Sequence, residues 1–233
     1  MEIADIPLIL PAAGKSSRVG SPKGLQQHAQ RTWLEIQCRF YAEAGGGTVV
    51  LVLGYDSDRY LDALGCTVTG QSDTLYCGGC SLQLLQNPLP EFGPFSSLAQ
   101  AGLWIERATD YQAAFFLPID TPVPSAVVLQ NLARAQRSGI HVVQPRYENR
   151  GGHPVLLSRD FLRELTTLDH TLPESRLDRQ IRRQHESGAV IGVAVTDVCV
   201  VLNLNDPAAW EQYFKSERRF DLATSLLTMP SSQ

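Results

Sequence analysis

Short apolar runs alternate along this chain with segments of helical periodicity, and this alternation limits the folds open to it. A short apolar run bounded by glycine or proline is typical of a buried strand. The predicted strands are Ile6–Ala13, Thr48–Gly54, Ala113–Ile119, Ile140–Gln144, Pro154–Leu157 and Ala189–Val201. The predicted helices are Trp33–Ala44, Ser57–Leu64, Ser96–Arg107, Ser125–Arg137, Arg159–Thr166, Pro173–His185 and Pro207–Glu217. Strands and helices in repetition predict an α/β fold, with a mostly parallel sheet and helices on both faces.

Length and charge narrow the class of protein. A chain of 233 residues can bury a substantial core, and no Pro-, Gly- or Ser-rich linker divides it. We therefore expect one domain over residues 1–227 and a frayed tail at 228–233. No apolar run approaches the ~18–20 residues of a membrane span, and the acidic start is unlike a secretory signal. We expect a cytoplasmic protein with no membrane partner. Its net charge of −4 argues against nucleic-acid binding.

The five cysteines, an odd number, favour reduced thiols. Cys77 and Cys80 form a single CxxC motif, whereas a structural zinc site needs four ligands. A thioredoxin-like redox motif should follow a strand and open a helix, but this pair falls in a stretch, Gln71–Asn87, that we predict to be a loop. We expect structural thiols, and the alternatives of a redox role and a metal site stay open.

The loop after the first predicted strand, Gly14–Gly24, combines small residues with positive charge. No Asp or Glu occurs between residues 6 and 34, a stretch that contains Lys15, Arg18, Lys23 and Arg31. Small residues let backbone N–H groups approach and bind a phosphate. Neither the Walker A spacing nor the Rossmann spacing of glycines is present. The loop therefore predicts a phosphate site of another type, and the alternative is an ordinary turn with solvated basic residues.

Polar side chains follow two other predicted strands. In open α/β sheets, ligands bind beyond the carboxyl ends of the strands. Asp120 lies between two prolines at such an end, and one fixed carboxylate suits Mg²⁺, which also takes phosphate and water oxygens. The alternative for Asp120 is a helix N-cap, for which Ser125 is a competing candidate. Asn205 is a candidate for a second contact with the metal or the triphosphate. Asp206 precedes Pro207, which is typical of a helix N-cap.

The remaining candidates have two open interpretations each. Two serines begin a predicted helix, one histidine follows paired glycines, and three arginines recur at a helical spacing. The serines would cap the helix or contact a nucleoside. The histidine would be structural or belong to an active site, and the arginines would be a solvated face or a dock for an anionic second substrate. These residues are Ser96, Ser97, His153, Arg176, Arg179 and Arg182.

Together these segments resemble the MobA/MocA-like nucleotidyltransferases. The sequence LPAAGKSSRVGSPK at 10–23 is similar to the family signature L-A-A-G-x-S-x-R-M-G-x-x-K, and LPIDTP at 117–122 resembles its metal-binding L-x-D-x-P element. Residues 93–103 resemble the G-x-x-S-S-L-x-x-G-L element of the molybdenum cofactor cytidylyltransferases. GHPV at 152–155 and NLNDP at 203–207 resemble two weaker elements. The matches run in family order along nearly the whole chain.

The resemblance implies a three-layer Rossmann-like fold of the nucleotide-diphospho-sugar transferase type. Arg18 would bind the β- and γ-phosphates and Lys23 the α-phosphate region, while Asp120 and Asn205 would hold Mg²⁺. The segment Ala12, Ala13, Gly14, Lys15 and Ser16 would hold the base and phosphates, and Ser96 and Ser97 would lie by the nucleoside. The acceptor side would include His153, Arg176 and Arg179.

The implied reaction is the Mg²⁺-dependent transfer of a nucleotide, CMP from CTP being favoured, to a phosphate-bearing acceptor such as molybdopterin. Pyrophosphate would leave. Ala13 stands where guanylyl transferases usually have glycine, which favours a pyrimidine. Asn203 and Asn205 stand where the cytidylyltransferases usually have Asp. The alternatives are therefore a uridylyl- or cytidylyltransferase acting on a sugar or alcohol phosphate, and a non-catalytic nucleotide- or cofactor-binding protein with a molybdoenzyme or chaperone partner. A dinucleotide oxidoreductase is a third class, which the missing glycines weaken.

Overall fold

The structure, a computed structural model, describes residues 1–15, 21–64 and 75–216. The predicted site residues Ser16 and Arg18 lie outside the described residues. The chain forms two compact units, Met1–Leu202 and Asn203–Gln233. The single domain over 1–227 stays a prediction, as does the tail at 228–233, which also lies outside the described part.

The elements alternate as the sequence pattern predicts. The strands are β1 Leu8–Ala12, β2 Gln27–His28, β3 Arg31–Thr32, β4 Thr48–Leu53, β5 Leu75–Cys77, β6 Cys80–Gln86, β7 Ala113–Phe116, β8 Val142–Tyr147, β9 Arg150–Gly151, β10 Val155–Ser158 and β11 Val190–Ala194. The helices are α1 Trp33–Glu43, α2 Ser57–Ala63, α3 Pro94–Ala108, α4 Ala126–Ala135, α5 Arg159–Thr166, α6 Leu177–Glu186 and α7 Pro207–Ser216. Short 3-10 helices include Lys23–Leu25 and Val198–Val201.

One mixed sheet of nine strands dominates the described part of the first unit. Its order is β11-β8-β10-β7-β1-β4-β6-β5, with β9 on β8, and β2 and β3 form a separate pair. At its centre, β7, β1, β4 and β6 are all parallel; Leu8 pairs with Phe115 on one side and Val49 on the other. Strands β10, β5 and β9 run in the opposite direction. The predicted α/β fold with a mostly parallel sheet is confirmed.

Side chains of successive residues on the central strands face opposite layers. Phe116 belongs to a core shared with α3 and α5, which includes Leu98 and Phe161. Phe115 points to the other face, where the Tyr41 ring of α1 meets it edge-on at a centroid distance of 6.4 Å. The Tyr41 hydroxyl donates to the Ile6 carbonyl. Helices therefore cover both faces, as the sequence predicts.

Three local predictions are wrong. The segment predicted as a loop at 71–87 contains β5 and β6. Residues 81–86 of β6 form a parallel ladder with β4, and the composition of β6 alone does not predict this pairing. The strand predicted at 189–201 ends at Ala194, and Val198–Val201 is a 3-10 helix whose first turn is capped by the Asp197 side chain, which accepts from the Cys199 N–H. Strand β7 ends at Phe116, two residues before Pro118.

Among the described residues, no helix has the length and apolar character that a bilayer crossing requires.

The core shared by the sheet, α3 and α5 should make the largest contribution to the free energy of unfolding. We expect Leu98→Ala to lower the free energy of unfolding by about 2–5 kcal/mol, since Leu98 is fully buried and its loss leaves a cavity. Urea denaturation measures the effect. The control is Val127→Ala on α4, whose side chain is 63% exposed and whose loss should cost less than about 0.5 kcal/mol. Equal costs for the two variants would contradict this picture of the core.

Candidate functional site

The carboxyl ends of β1, β4 and β7 meet at one edge of the sheet. Here the structure brings together Lys23, which follows β1, and Asp120, which follows β7. The Lys23 Nζ lies 2.5 Å from the Asp120 Oδ2, and the two side chains are 23% and 17% exposed. A cavity of about 230 Å³ opens beside this pair; its walls include Ala12, Ala13, Gly14, Lys15, Lys23, Tyr60, Gly93, Ser97 and Asp120. Most of the residues predicted for nucleotide binding thus share one cavity.

Helix α1 holds the segment that carries Asp120. The Trp33 Nε1–H donates to the Ile119 carbonyl at 2.6 Å. The buried Gln37 amide bonds on both sides of the next turn: its Nε2 donates to the Thr121 carbonyl at 2.7 Å, and its Oε1 accepts from the Val123 N–H at 2.8 Å. Three hydrogen bonds from one helix therefore fix the backbone around the carboxylate.

Sequence reasoning missed both Trp33 and Gln37. The available signal was a glutamine among the apolar residues of a predicted helix. A buried amide needs hydrogen-bond partners, and Gln37 is fully buried.

Helix α2 holds the segment that carries Lys23. The Tyr60 hydroxyl accepts from the Gly24 N–H at 3.1 Å, and burial raises the pKa of Tyr60 well above its usual range. A Cβ at Gly24 would lie 2.6 Å from the Tyr60 hydroxyl oxygen, so glycine is required for this close approach. Tyr60 also lines the cavity, and the sequence pattern gave no indication of it.

The loop after β1 packs against the end of β4. The Ala13 carbonyl accepts from the Tyr55 N–H at 3.2 Å, and a Cβ at Gly54 would lie 2.6 Å from that carbonyl oxygen. The Lys15 Nζ sits 4.5 Å from the centre of the Tyr55 ring, a cation–π contact. Ala12 and Ala13 are buried, whereas Gly14 and Lys15 are exposed.

Ser96 and Ser97 have a structural role at the start of α3. The Asn87 amide donates to the hydroxyl oxygen of Ser96 at 2.8 Å and of Ser97 at 3.1 Å. The Ser96 hydroxyl in turn lies within hydrogen-bond distance of the carbonyls of Gly93, at 2.8 Å, and Leu89, at 2.9 Å. Both serines are buried. Ser97 also lines the cavity, so its contact with a nucleoside stays a prediction.

A second, larger cavity of about 1090 Å³ adjoins the first, and the two share Gly93, Pro94 and Pro118. It has an apolar floor and a basic rim. Its lining includes Phe92, Phe95, Phe116, Arg146, His153, His170, Arg176, Arg182 and His185, with Glu91 and Asp178 as acidic members. His153 is mostly buried, and this burial lowers its pKa. Arg179 is not among the lining residues, and its Nη1 lies 3.1 Å from the Glu174 Oε1.

The family comparison decides what this architecture is. A model of the MobA-like NTP transferase domain matches residues 8–188. The chain belongs to the MobA-like NTP transferase family. It is a nucleotidyltransferase, and its reaction class is nucleotidyl transfer from a nucleoside triphosphate to a small-molecule acceptor.

Solved structures of low sequence identity share the fold of this transferase. A nucleotidyl transferase from Methanothermobacter (Mth528) is 19% identical with a TM-score of 0.70, covering 94% of this chain and 98% of that one. Rv0371c from Mycobacterium tuberculosis is 21% identical with a TM-score of 0.65, covering 91% and 99%. CMP-2-keto-3-deoxy-manno-octonic acid synthetase, solved with CTP, is 13% identical with a TM-score of 0.63, covering 94% and 99%. No curated protein matches the chain.

In this MobA-like transferase, the turn that contains Asn205 belongs to the second unit. There the Asp206 Oδ1 accepts from the Ala209 N–H at 2.9 Å in the first turn of α7, so Asp206 is the helix cap that the sequence predicts. The Asn205 N–H donates to the Asn203 carbonyl at 3.0 Å. A metal-binding role for Asn205 stays a prediction.

The Gln37 amide should matter for ligand binding beyond its effect on stability. Gln37→Leu leaves the Thr121 carbonyl and the Val123 N–H without this partner, and each buried unpaired group costs about 1–3 kcal/mol. We expect a lower melting temperature and, because the Asp120 backbone loosens, a smaller stabilisation by triphosphate with a divalent cation.

The matched control is Gln180→Leu on α6, a buried glutamine that donates to the Glu174 carbonyl at 2.7 Å. It should lower stability and leave the triphosphate-induced shift unchanged. Thermal melts with and without ligand separate the two effects. An unchanged ligand shift in Gln37→Leu would contradict the positioning role.

Proposed function

We propose that this protein transfers CMP from CTP to a phosphate-bearing acceptor in a Mg²⁺-dependent reaction that releases pyrophosphate. The observation that carries this proposal is the Lys23–Asp120 pair, which lines a small cavity that adjoins a larger one at Gly93, Pro94 and Pro118. The small cavity has the loop expected to bind the triphosphate, and the larger has the basic rim suited to an anionic acceptor. The reacting phosphate would lie where the two cavities meet, near Pro118.

Charge complementarity supports the divalent cation. Asp120 offers a carboxylate in a half-buried position, and Mg²⁺ characteristically takes one or two carboxylates together with phosphate and water oxygens. Asp120 would hold the ion, which would neutralise triphosphate charge when bound. The structural neighbour Rv0371c has been solved in complex with manganese.

The chain's own residues supply positioning and positive charge. The Lys23 ammonium would bind the α-phosphate region, and Arg18 would bind the β- and γ-phosphates. A phosphate nucleophile is already ionised, so no general base is needed. The acceptor oxygen would attack the α-phosphorus as the bond to pyrophosphate breaks, and Lys23 would stabilise the charge that develops. Backbone groups of residues 12–16 would orient the nucleotide.

Two observations support CTP. The buried Ala13 methyl narrows the loop where the base would lie, which favours a pyrimidine over guanine. Structural neighbours include the CTP complex described above and an inositol-1-phosphate CTP transferase from T. maritima, 14% identical with a TM-score of 0.57.

The lining of the larger cavity supports a phosphate-bearing acceptor. Arginines 146, 176 and 182 suit phosphate, and the three phenylalanines suit an apolar or ring-shaped body. Molybdopterin, a ring system with a phosphate, fits this description, and a sugar or alcohol phosphate is the alternative. The expected setting is the cytoplasm, with a molybdoenzyme or chaperone as the protein partner.

A second candidate function is nucleotide or cofactor binding without turnover. It is favoured by Asn203 and Asn205, which stand where the resemblance predicts Asp. Loss of a carboxylate at the metal would weaken Mg²⁺ binding and slow transfer.

Asp120→Asn should separate the two functions. In a transferase, pyrophosphate release from CTP and molybdopterin should fall by orders of magnitude, since the cation loses its carboxylate. The matched control is Asp110→Asn, an exposed carboxylate that precedes β7 at the opposite end of the strand. A coupled pyrophosphate assay makes the measurement. Wild-type protein that binds CTP yet releases no pyrophosphate with molybdopterin or with sugar and alcohol phosphates would establish the binding-protein alternative.

The shift in melting temperature on adding each nucleotide should rank the affinity of the site for the different bases. Ligand at 100 times its dissociation constant adds about 2.7 kcal/mol of stability, a shift of roughly 5–10 °C for a chain of this size. We expect a Mg²⁺-dependent shift with CTP, a smaller one with UTP, and loss of the shift in Lys23→Ala. A shift with GTP alone would contradict the pyrimidine assignment, and a shift with NAD alone would contradict the transferase assignment.

The basic rim should act on the acceptor alone. We expect Arg176→Gln and Arg182→Gln each to raise the acceptor KM about tenfold, equivalent to ~1.4 kcal/mol, and to leave the CTP KM unchanged. Arg179→Gln is the control, because Arg179, unlike Arg176 and Arg182, does not line the cavity. Steady-state kinetics with molybdopterin and with sugar phosphates provide the measurement. Equal effects of all three substitutions on the acceptor KM would contradict the proposal that the acceptor binds in the larger cavity.

A further inference from the structure

Three thiols meet where the β5–β6 hairpin contacts α1. Cys77 and Cys80 are directly paired across the hairpin, and Cys38 lies on the helix. The Cys80 Sγ donates to the Cys38 carbonyl at 3.3 Å, and a Cβ on Gly78, the residue after Cys77, would lie 2.9 Å from the Cys38 Cβ. All three residues are buried or nearly so. The nucleotidyl-transfer site uses none of them.

The turn of the hairpin fixes this arrangement. Gly78 and Gly79 have φ angles of +56° and +92°, values that favour glycine and suit a two-residue turn. A Cβ on Gly78 would lie 2.6 Å from both the Arg39 nitrogen and the Glu35 carbonyl oxygen. The turn therefore rests directly on the backbone of α1, and the hairpin cannot withdraw its Cys77 thiol from Cys38 without losing this packing.

The three thiols differ in chemistry. The hydrogen bond to Cys77 raises the pKa of the Cys38 thiol, and burial raises it further. The same hydrogen bond lowers the pKa of Cys77, which accepts it. Burial raises the pKa of Cys80 to about 11. The thiolate is the reactive form, and Cys77 is also the most exposed of the three residues, at 8% against 0% for Cys38 and Cys80, so we assign Cys77 as the nucleophile and Cys38 as its partner.

We propose that Cys77 and Cys38 are a redox pair that a peroxide converts into a disulfide. The Cys77 thiolate attacks one oxygen of hydrogen peroxide and becomes a sulfenic acid, as the O–O bond breaks and the second oxygen leaves as water after taking a proton. The Cys38 sulfur then attacks the Cys77 sulfur, the S–S bond forms, and the sulfenic oxygen leaves as a second water. Two thiols and one peroxide thus give one disulfide and two waters.

The position of Cys77 makes the first step accessible. Cys77 is 8% exposed, and its neighbour Tyr76, on the edge strand β5, is 74% exposed. Hydrogen peroxide is a small oxidant that needs little room. The resulting bond would join the edge hairpin to α1, whose next residue toward the N-terminus, Gln37, holds the backbone around Asp120. This redox pair is independent of the proposed transfer reaction.

The test uses the reduced, full-length protein and one equivalent of hydrogen peroxide. After free thiols are alkylated, trypsin should release residues 32–39 joined to residues 60–107, a product that dithiothreitol separates. Because the second peptide also contains Cys66 and Cys80, four variants assign the bond. The joined product should persist in Cys66→Ser and Cys80→Ser and vanish in Cys38→Ser and Cys77→Ser. Cys38→Ala replaces Cys38→Ser if that variant fails to fold.

The oxidised wild type should also melt several degrees above the reduced form, since a native cross-link restricts the unfolded chain. The proposal is overturned if the joined product survives in Cys77→Ser, if Cys77 links to Cys80 within one peptide, or if Cys77 accumulates sulfinic or sulfonic acid without a cross-link. None of these readouts depends on nucleotidyl transfer.

Discussion

The ion pair between Lys23 and Asp120 is the constraint around which the rest of the site is organised. Each residue follows a different central strand, so no single element sets the 2.5 Å separation. A partly buried pair is favourable only when its geometry is held well. Two helices hold it here: α1 through Trp33 and Gln37 to the backbone around Asp120, and α2 through Tyr60 to the residue after Lys23. These neutral hydrogen bonds determine where the charges lie.

The elements that the sequence predicts well are those whose signal is local. Apolar runs such as that of β1 show their burial directly, and the acid-free loop contains Lys23, which the structure places against Asp120. Strand β6 was missed because its stability comes from the parallel ladder with β4, more than 25 residues earlier in the chain. Gln37 and Asn87 were missed for the same reason: an isolated amide carries no sign of the backbone groups that it will meet after folding.

The larger cavity shows how helical spacing alone can mislead. Arg176, Arg179 and Arg182 recur every three residues, which predicts a shared face. In the structure α6 begins at Leu177, so Arg176 is the N-cap residue with an extended ψ of 137°, and its direction is not set by the helical period. Arg179 turns to Glu174. Arg176 and Arg182 reach the cavity and Arg179 does not, an outcome that depends on where the helix begins.

Helix α1 connects the two chemical features of the molecule. Adjacent residues of a helix point about 100° apart, which lets Gln37 reach the Asp120 segment while Cys38 reaches the β5–β6 hairpin. The close packing of the Gly78 turn on α1 means that the hairpin and the helix constrain one another. The helix is in turn fixed to the sheet through Tyr41, which bonds to Ile6 just before β1. A change at the thiols therefore meets a helix that is already fixed to the hairpin, to the sheet and to the Asp120 segment, and it would reach Asp120 through the hydrogen bonds of Trp33 and Gln37.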